Sequence, residues 1–148
     1  MRRLIMTILA SAVMCFAAEA QSNLKKVYDE SIDPMTQIDN AISKADRNGK
    51  FVICQVGGNW CRWCLMFADF ISKDSEITEL IDKNFEYIHV NYNPRERNDE
   101  SKMKKAEAML ARLGNPGRFG YPVFVVLDGD GKVIHIQDSS LLDRKSVV

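Results

Sequence analysis

The chain has 148 residues, 46% of them hydrophobic, which is enough apolar material for one compact domain and not obviously for two. Its 20 basic residues balance its 20 acidic ones, so no net charge draws it to nucleic acid or to an anionic membrane surface. No internal repeat or low-complexity tract interrupts it.

Arg2 and Arg3 precede an apolar run from Leu4 to Ala18, and Ala18-Glu19-Ala20 has the small-x-small form of a signal-peptidase site. The run is short for a membrane span. Met14, ahead of Cys15, is too bulky for the small residue that lipoprotein processing wants. Residues 1–20 are therefore expected to be a signal peptide, 21–32 an N-terminal extension and 33–148 the folded domain. Export to the periplasm is the expectation, with the extracellular space as the alternative. Cleavage removes Cys15 and leaves Cys54, Cys61 and Cys64, a count that fits one bridge plus one leftover thiol.

Asp33-Pro34 opens the first helix, with Asp as N-cap and Pro at the first helical position. Met35, Ile38, Ala41, Ile42 and Ala45 form its apolar stripe, and Gly49 closes it. Phe51 to Val56 reads as a buried strand, and Gly57-Gly58-Asn59 breaks it. A second helix follows from Cys61, carrying Leu65, Phe67, Ala68, Phe70 and Ile71. Asp74 caps a further helical segment with Ile77, Leu80 and Ile81. Phe85 to Tyr92 is a second strand. A charged stretch then leads into a helix with Met103, Ala106, Leu110 and Leu113, ended by Gly114-Asn115-Pro116-Gly117. Pro122–Leu127 and Lys132–Gln137 form a hairpin across Asp128-Gly129-Asp130-Gly131. Helices alternating with strands and ending in an antiparallel hairpin give a mixed α/β sheet flanked by helices.

The chemistry is concentrated in Trp60-Cys61-Arg62-Trp63-Cys64. Cys61 falls at a helix N-terminus, where free backbone N–H groups and the macrodipole favour an anion. A thiolate there has a lowered pKa and is nucleophilic at neutral pH. Cys64, one turn on, is within reach for a disulfide.

This order, with Trp-Cys-x-x-Cys after the central strand and Tyr121-Pro122 before the hairpin, resembles the thioredoxin fold from about Asp33 to Gln137. It is most similar to exported bacterial thioredoxin-like thiol–disulfide oxidoreductases with Trp before the second cysteine. The resemblance implies that Cys61 is the attacking nucleophile and Cys64 the resolving thiol. It implies a cis peptide bond between Tyr121 and Pro122, which would bring Tyr121 beside the sulfurs, with Trp60 as one wall of a shallow site. Arg62, between the cysteines, is expected to stabilise the thiolate and push the couple toward the oxidising side. With Trp63, these residues make up the expected substrate-binding set. The activity implied is exchange with protein or peptide disulfides; reductase, oxidase and isomerase share these residues, and the reductive direction is slightly favoured. No bound cofactor is implied, and a membrane or soluble thiol–disulfide protein would serve as electron partner.

Three departures stand out. Many thioredoxins carry a buried acid six residues before the first cysteine, where this chain has Gln55, which cannot act as a base. Tyr121 is bulkier than the residue usual before the cis-proline. After Gln137 only eleven residues remain, so the closing helix is expected to be short or missing.

Other readings of these residues are blander. A structural disulfide between Cys61 and Cys64 would close a tiny loop and restrict the unfolded chain little. Zinc wants four ligands, and His89 and His135 each stand alone in strands, as ordinary strand residues. Copper(I) could use two thiolates, which keeps open a second class of function: a thioredoxin-fold binding module for unfolded chains or copper(I), with little redox turnover. Cys54 reads as a small buried hydrophobe. Lys102, Lys104 and Lys105 read as a solvated helix face, and Asp128–Asp130 as a turn lacking the remaining ligands of a calcium loop.

Overall fold

A computed structural model describes residues 24–142 apart from Arg97. The expected signal peptide, Cys15 and the tail from residue 143 lie outside the described residues.

Helix α1 (Pro34–Asn48) begins as its sequence dictates: the Asp33 carboxylate accepts the N–H groups of Met35 and Thr36 at 3.1 and 3.2 Å. Capping of this kind is worth about 1 kcal/mol. Gly49 ends the helix in the left-handed conformation. Strand β1 (Phe51–Gly57) leads to α2 (Arg62–Lys73). Asp74 closes α2 and caps α3 (Ser75–Asn84), which runs directly into β2 (Phe85–Asn91). Helix α4 (Glu100–Arg112) and a 3-10 turn (Pro116–Phe119) precede β3 (Val123–Leu127) and β4 (Val133–Asp138). A second 3-10 turn follows at Ser139–Leu142.

The sheet has the order β2-β1-β3-β4, with β1 and β2 parallel and the other pairs antiparallel. The alternation of strand side chains sorts β1 into two faces. Val52, Cys54 and Val56, with Val123, Val125 and Leu127 of β3, pack against Ile38, Ala41 and Ala45 of α1, Met109 of α4 and Leu113 at its C-cap. Gln55 faces the other layer, where α2 crosses the sheet. The result is the thioredoxin fold, a mixed sheet with helices on both faces.

Two expectations need correction. Phe51 is 45% exposed, because it starts β1 at the rim of the sheet, against Phe85 with ring centroids 6.3 Å apart. In α4 the fully buried side chain is Met109, whereas Met103 in the first turn reaches solvent. The lysines of that helix are solvated and paired: Lys102 with Glu96, Lys104 with Glu100 and Lys105 with Asp33.

Candidate active site

Strand β1 ends at Gly57, and the turn through Gly58, Asn59 and Trp60 delivers Cys61 to the N-cap of α2. The Cys61 N–H donates to the Gly58 carbonyl at 3.0 Å, and the Cys64 N–H donates to the Cys61 sulfur at 3.2 Å. One free amide of the first helical turn, that of Cys64, is thus directed at that sulfur. Cys61 and Cys64 form a disulfide, their Cα atoms 5.3 Å apart. Cys61 keeps 6% of its surface and Cys64 keeps none, so an external sulfur can approach only Cys61.

An aromatic wall stands beside the bridge. The Trp60 indole N–H donates to the Tyr92 carbonyl at 2.6 Å, and its ring meets Tyr121 edge-on at 5.7 Å. Tyr92 stacks on Tyr121 at 5.1 Å. The Tyr121–Pro122 bond is cis, Pro122 is buried, and Tyr121 packs against the cluster holding both cysteines. Gly117 makes room for this bulky residue: a Cβ there would lie 2.8 Å from the Tyr121 hydroxyl. Burial, reinforced by Tyr92, pushes the Tyr121 phenol up and keeps it protonated. Of the residues singled out in the sequence, Cys61, Cys64, Trp60, Tyr121 and Pro122 come together. Arg62 and Trp63 stand on the outer side of the first turn of α2, Trp63 with 71% of its surface exposed.

Behind the bridge lies a polar cluster that the sequence only half disclosed. Gln55 is fully buried. Its amide N–H groups donate to the Tyr28 hydroxyl at 2.8 Å and to the Cys64 carbonyl at 2.9 Å, while its oxygen accepts from the Tyr87 hydroxyl. Tyr28 comes from the segment ahead of α1, which packs with Leu24 and Val27 against Cys61, Cys64 and Leu65. Asn59 pins that segment: its oxygen accepts the N–H groups of Val27 and Tyr28, and its amide donates to the Tyr28 carbonyl. Nothing in the periodicity of residues 24–32 signals this; the polar Asn59 next to the cysteine motif was the available clue.

His89 is half-buried on β2. Its ring lies edge-on to both Tyr28 and Tyr87 at 5.4 and 5.3 Å, and its Nε2 is buried without a partner. Burial pushes its pKa down to about 4, so it is neutral at physiological pH. Burial likewise pushes the Tyr28 and Tyr87 phenols up. Tyr87 and His89 open onto a cavity of about 390 Å³ under α2 and α3. Cys54 is a buried free thiol on the opposite face of β1, its pKa pushed up to about 12 by burial. Among the described residues no cluster of three or more His, Cys, Asp or Glu side chains is placed to hold a metal ion.

A thioredoxin fold with a bonded Cys-x-x-Cys at the head of α2 and a cis-proline loop beside it defines a thioredoxin-like disulfide oxidoreductase. Comparison with known families agrees: the chain belongs to the Thioredox_DsbH family, described as a protein of unknown function, DUF255, whose model matches residues 15–140. Among solved structures it is similar to a disulphide isomerase from Xylella fastidiosa Temecula1. The two are 29% identical over 84% of this chain and 88% of that one, with a TM-score of 0.65. A solved DsbH oxidoreductase shares the fold at 20% identity, over 76% of this chain and 73% of its own, with a TM-score of 0.51. No curated protein matches.

Proposed function

We propose that this chain is an exported protein-disulfide oxidoreductase that acts through Cys61-Arg62-Trp63-Cys64, with net reduction of its substrate. The observation that carries the reading is the asymmetry of the bridge: Cys61 reaches the surface at a helix N-cap, and Cys64 is sealed behind it. In the reduced protein the Cys61 thiolate attacks a substrate disulfide, forms a mixed disulfide and expels one substrate thiolate, which takes up a proton. Cys64 then attacks Cys61, closing the Cys61–Cys64 bond and releasing the second substrate thiol. A second thiol–disulfide protein, soluble or at the membrane, returns the electron pair.

Trp60, Tyr121 and Pro122 form the wall against which the substrate chain lies. Trp63 and Arg62 contact it from the helix side. Arg62 is exposed, and among the described residues no hydrogen bond or ion pair holds its guanidinium in place. A charge that is not held beside the sulfur stabilises the Cys61 thiolate less than the sequence led us to expect, and this supports the reductive direction. Export rests on the basic-apolar-small pattern of residues 1–20. The disulphide isomerase resemblance supports protein disulfides as the substrate class.

The test is trapping. Incubated with an oxidised peptide, reduced Cys64→Ser accumulates a mixed disulfide on Cys61, seen by mass spectrometry without reductant, and Cys61→Ser accumulates none. Equal trapping through Cys64 in the Cys61→Ser variant contradicts the assignment of roles.

One observation favours a second reading as a binding module for unfolded chains. Trp63, Met66 and Phe70 recur at i, i+3 and i+7 on α2 and are all exposed, forming an apolar stripe that begins at the bridge. If chain binding is the main activity, a Cys61→Ser/Cys64→Ser variant still captures reduced, unfolded protein as well as the parent does.

A further inference from the structure

The resolving step requires a thiolate at Cys64, yet Cys64 is fully buried, an environment that disfavours the charged form. At the position where a carboxylate could serve, β1 offers the neutral Gln55. The hydrogen bonds around that amide have a fixed direction. Gln55 Oε1 accepts from the Tyr87 hydroxyl, while Nε2 donates to the Cys64 carbonyl at 2.9 Å and to the Tyr28 oxygen at 2.8 Å. The flipped amide would set its oxygen against the Cys64 carbonyl, two acceptors face to face. The Tyr28 oxygen is therefore an acceptor from Gln55, and its own hydrogen is left for another partner. Cys64 Sγ lies on the same side of Gly57 as that hydroxyl. A Cβ placed on Gly57 would lie 2.5 Å from that sulfur and 2.8 Å from the Tyr28 hydroxyl, so both groups crowd onto the same bare glycine.

We infer that Tyr28 is a further catalytic residue, donating a hydrogen bond to Cys64 as its thiolate forms, with Gln55 and Tyr87 as the positioning residues that orient it. The inference rests on the proposed oxidoreductase reading and deepens it. In the mixed disulfide, Cys61 is bonded to the substrate sulfur and Cys64 is a thiol. The Cys64 proton leaves to water. The Cys64 sulfur attacks Cys61, and the Cys61–Cys64 bond forms as the Cys61–substrate bond breaks. The electron pair departs on the substrate sulfur, which takes up a proton from solvent. Tyr28 keeps its own proton throughout, consistent with the burial that holds its phenol up. The donor chain Tyr87–Gln55–Tyr28 is aligned head to tail, so each bond polarises the next toward the sulfur.

The other titratable groups around this sulfur are Cys61 at the head of α2, Tyr121 before β3, and Tyr87 and His89 on β2. Lys25, Asp69 and Asp82 lie further out, lining the cavity onto which Tyr87 and His89 open. Tyr28 is the one whose hydroxyl shares the space in front of Gly57 with the sulfur.

The experiment mixes the fully reduced protein with 5,5′-dithiobis(2-nitrobenzoate) in a stopped-flow instrument across a pH series. Attack by Cys61 releases a first thionitrobenzoate, and resolution by Cys64 releases a second. In Tyr28→Phe the first release keeps its rate. The second slows about tenfold, the effect of losing one hydrogen bond to a charged group, and its pH midpoint rises by about one unit. Tyr87→Phe, which frees the Gln55 amide to turn, slows the second release by a smaller factor in the same direction. A Tyr28→Phe second phase equal to the parent's in rate and midpoint overturns the inference. If Tyr28→Phe loses the first phase through misfolding, an unchanged second phase in Tyr87→Phe overturns it instead. A parent protein with no second release overturns the oxidoreductase reading itself, an outcome distinct from either.

Discussion

The side chain of Asn59 brackets the backbone of Tyr28, accepting its N–H at 3.2 Å and donating to its carbonyl at 2.8 Å. Asn59 lies two residues before Cys61, so the turn that presents the cysteine also fastens the segment that seals Cys64 from behind. Asn59→Ala leaves those partly buried groups without partners. It is expected to cost ~1–3 kcal/mol of stability. Urea unfolding checks this through the midpoint, the slope staying constant.

Gly57 permits the close approach of that segment to the bridge. Gly57→Ala would push a methyl into Cys64 Sγ and the Tyr28 hydroxyl at once, both held by packing rather than by flexible side-chain ends. Overpacking of this kind costs ~1–3 kcal/mol. The loss is expected in the oxidised protein and is measured by thermal or urea unfolding without reductant.

His89 gives the fold a pH dependence with a definite sign. Burial lowers its pKa from 6.5 to about 4, so between those values the unfolded chain binds a proton that the folded one does not. The contribution is fully present above pH 6.5 and is lost as pH falls toward 4. Below that, both states are protonated and the loss is complete. His89→Gln is expected to flatten the stability profile in this window, measured as the urea midpoint at half-unit pH steps.

Much of the fold was legible because its signals are local. Asp33-Pro34 caps a helix by itself, Asp128 to Gly131 turns a hairpin by itself, and Cys61 after Gly57-Gly58 needs no partner to mark a strand-to-helix junction. Gln55 was legible as a departure, since an amide stands where an acid was expected. What surrounds it was not legible, because Tyr28 and Tyr87 reach it from 27 and 32 residues away in sequence. Residues 24–32 carry no helical or strand period, and their role depends on Asn59 holding them in place. The exposure of Phe51 and the burial of Met109 were missed for a related reason. Periodicity identifies a face but not where an element passes the rim of its neighbours.

Trp63 is expected to matter to protein substrates and not to the fold. At 71% exposure, Trp63→Ala should change stability by no more than about 0.5 kcal/mol. Reduction of a small aromatic disulfide should be unchanged, while KM for an unfolded protein disulfide rises severalfold. Parallel steady-state assays on the two substrates separate these outcomes.

The most direct test of the central claim, reductive exchange through Cys61 and Cys64, is the reduction potential of that pair. The protein is equilibrated across a glutathione redox series, and the two states are counted by alkylation and mass. Cys54 has no disulfide partner and adds the same single label to both states, so it does not affect the count. The account predicts one reversible two-electron couple near the thioredoxin end of the known range, roughly −270 mV. A couple near −120 mV would reverse the proposed direction, and no reversible couple at all would contradict the oxidoreductase reading.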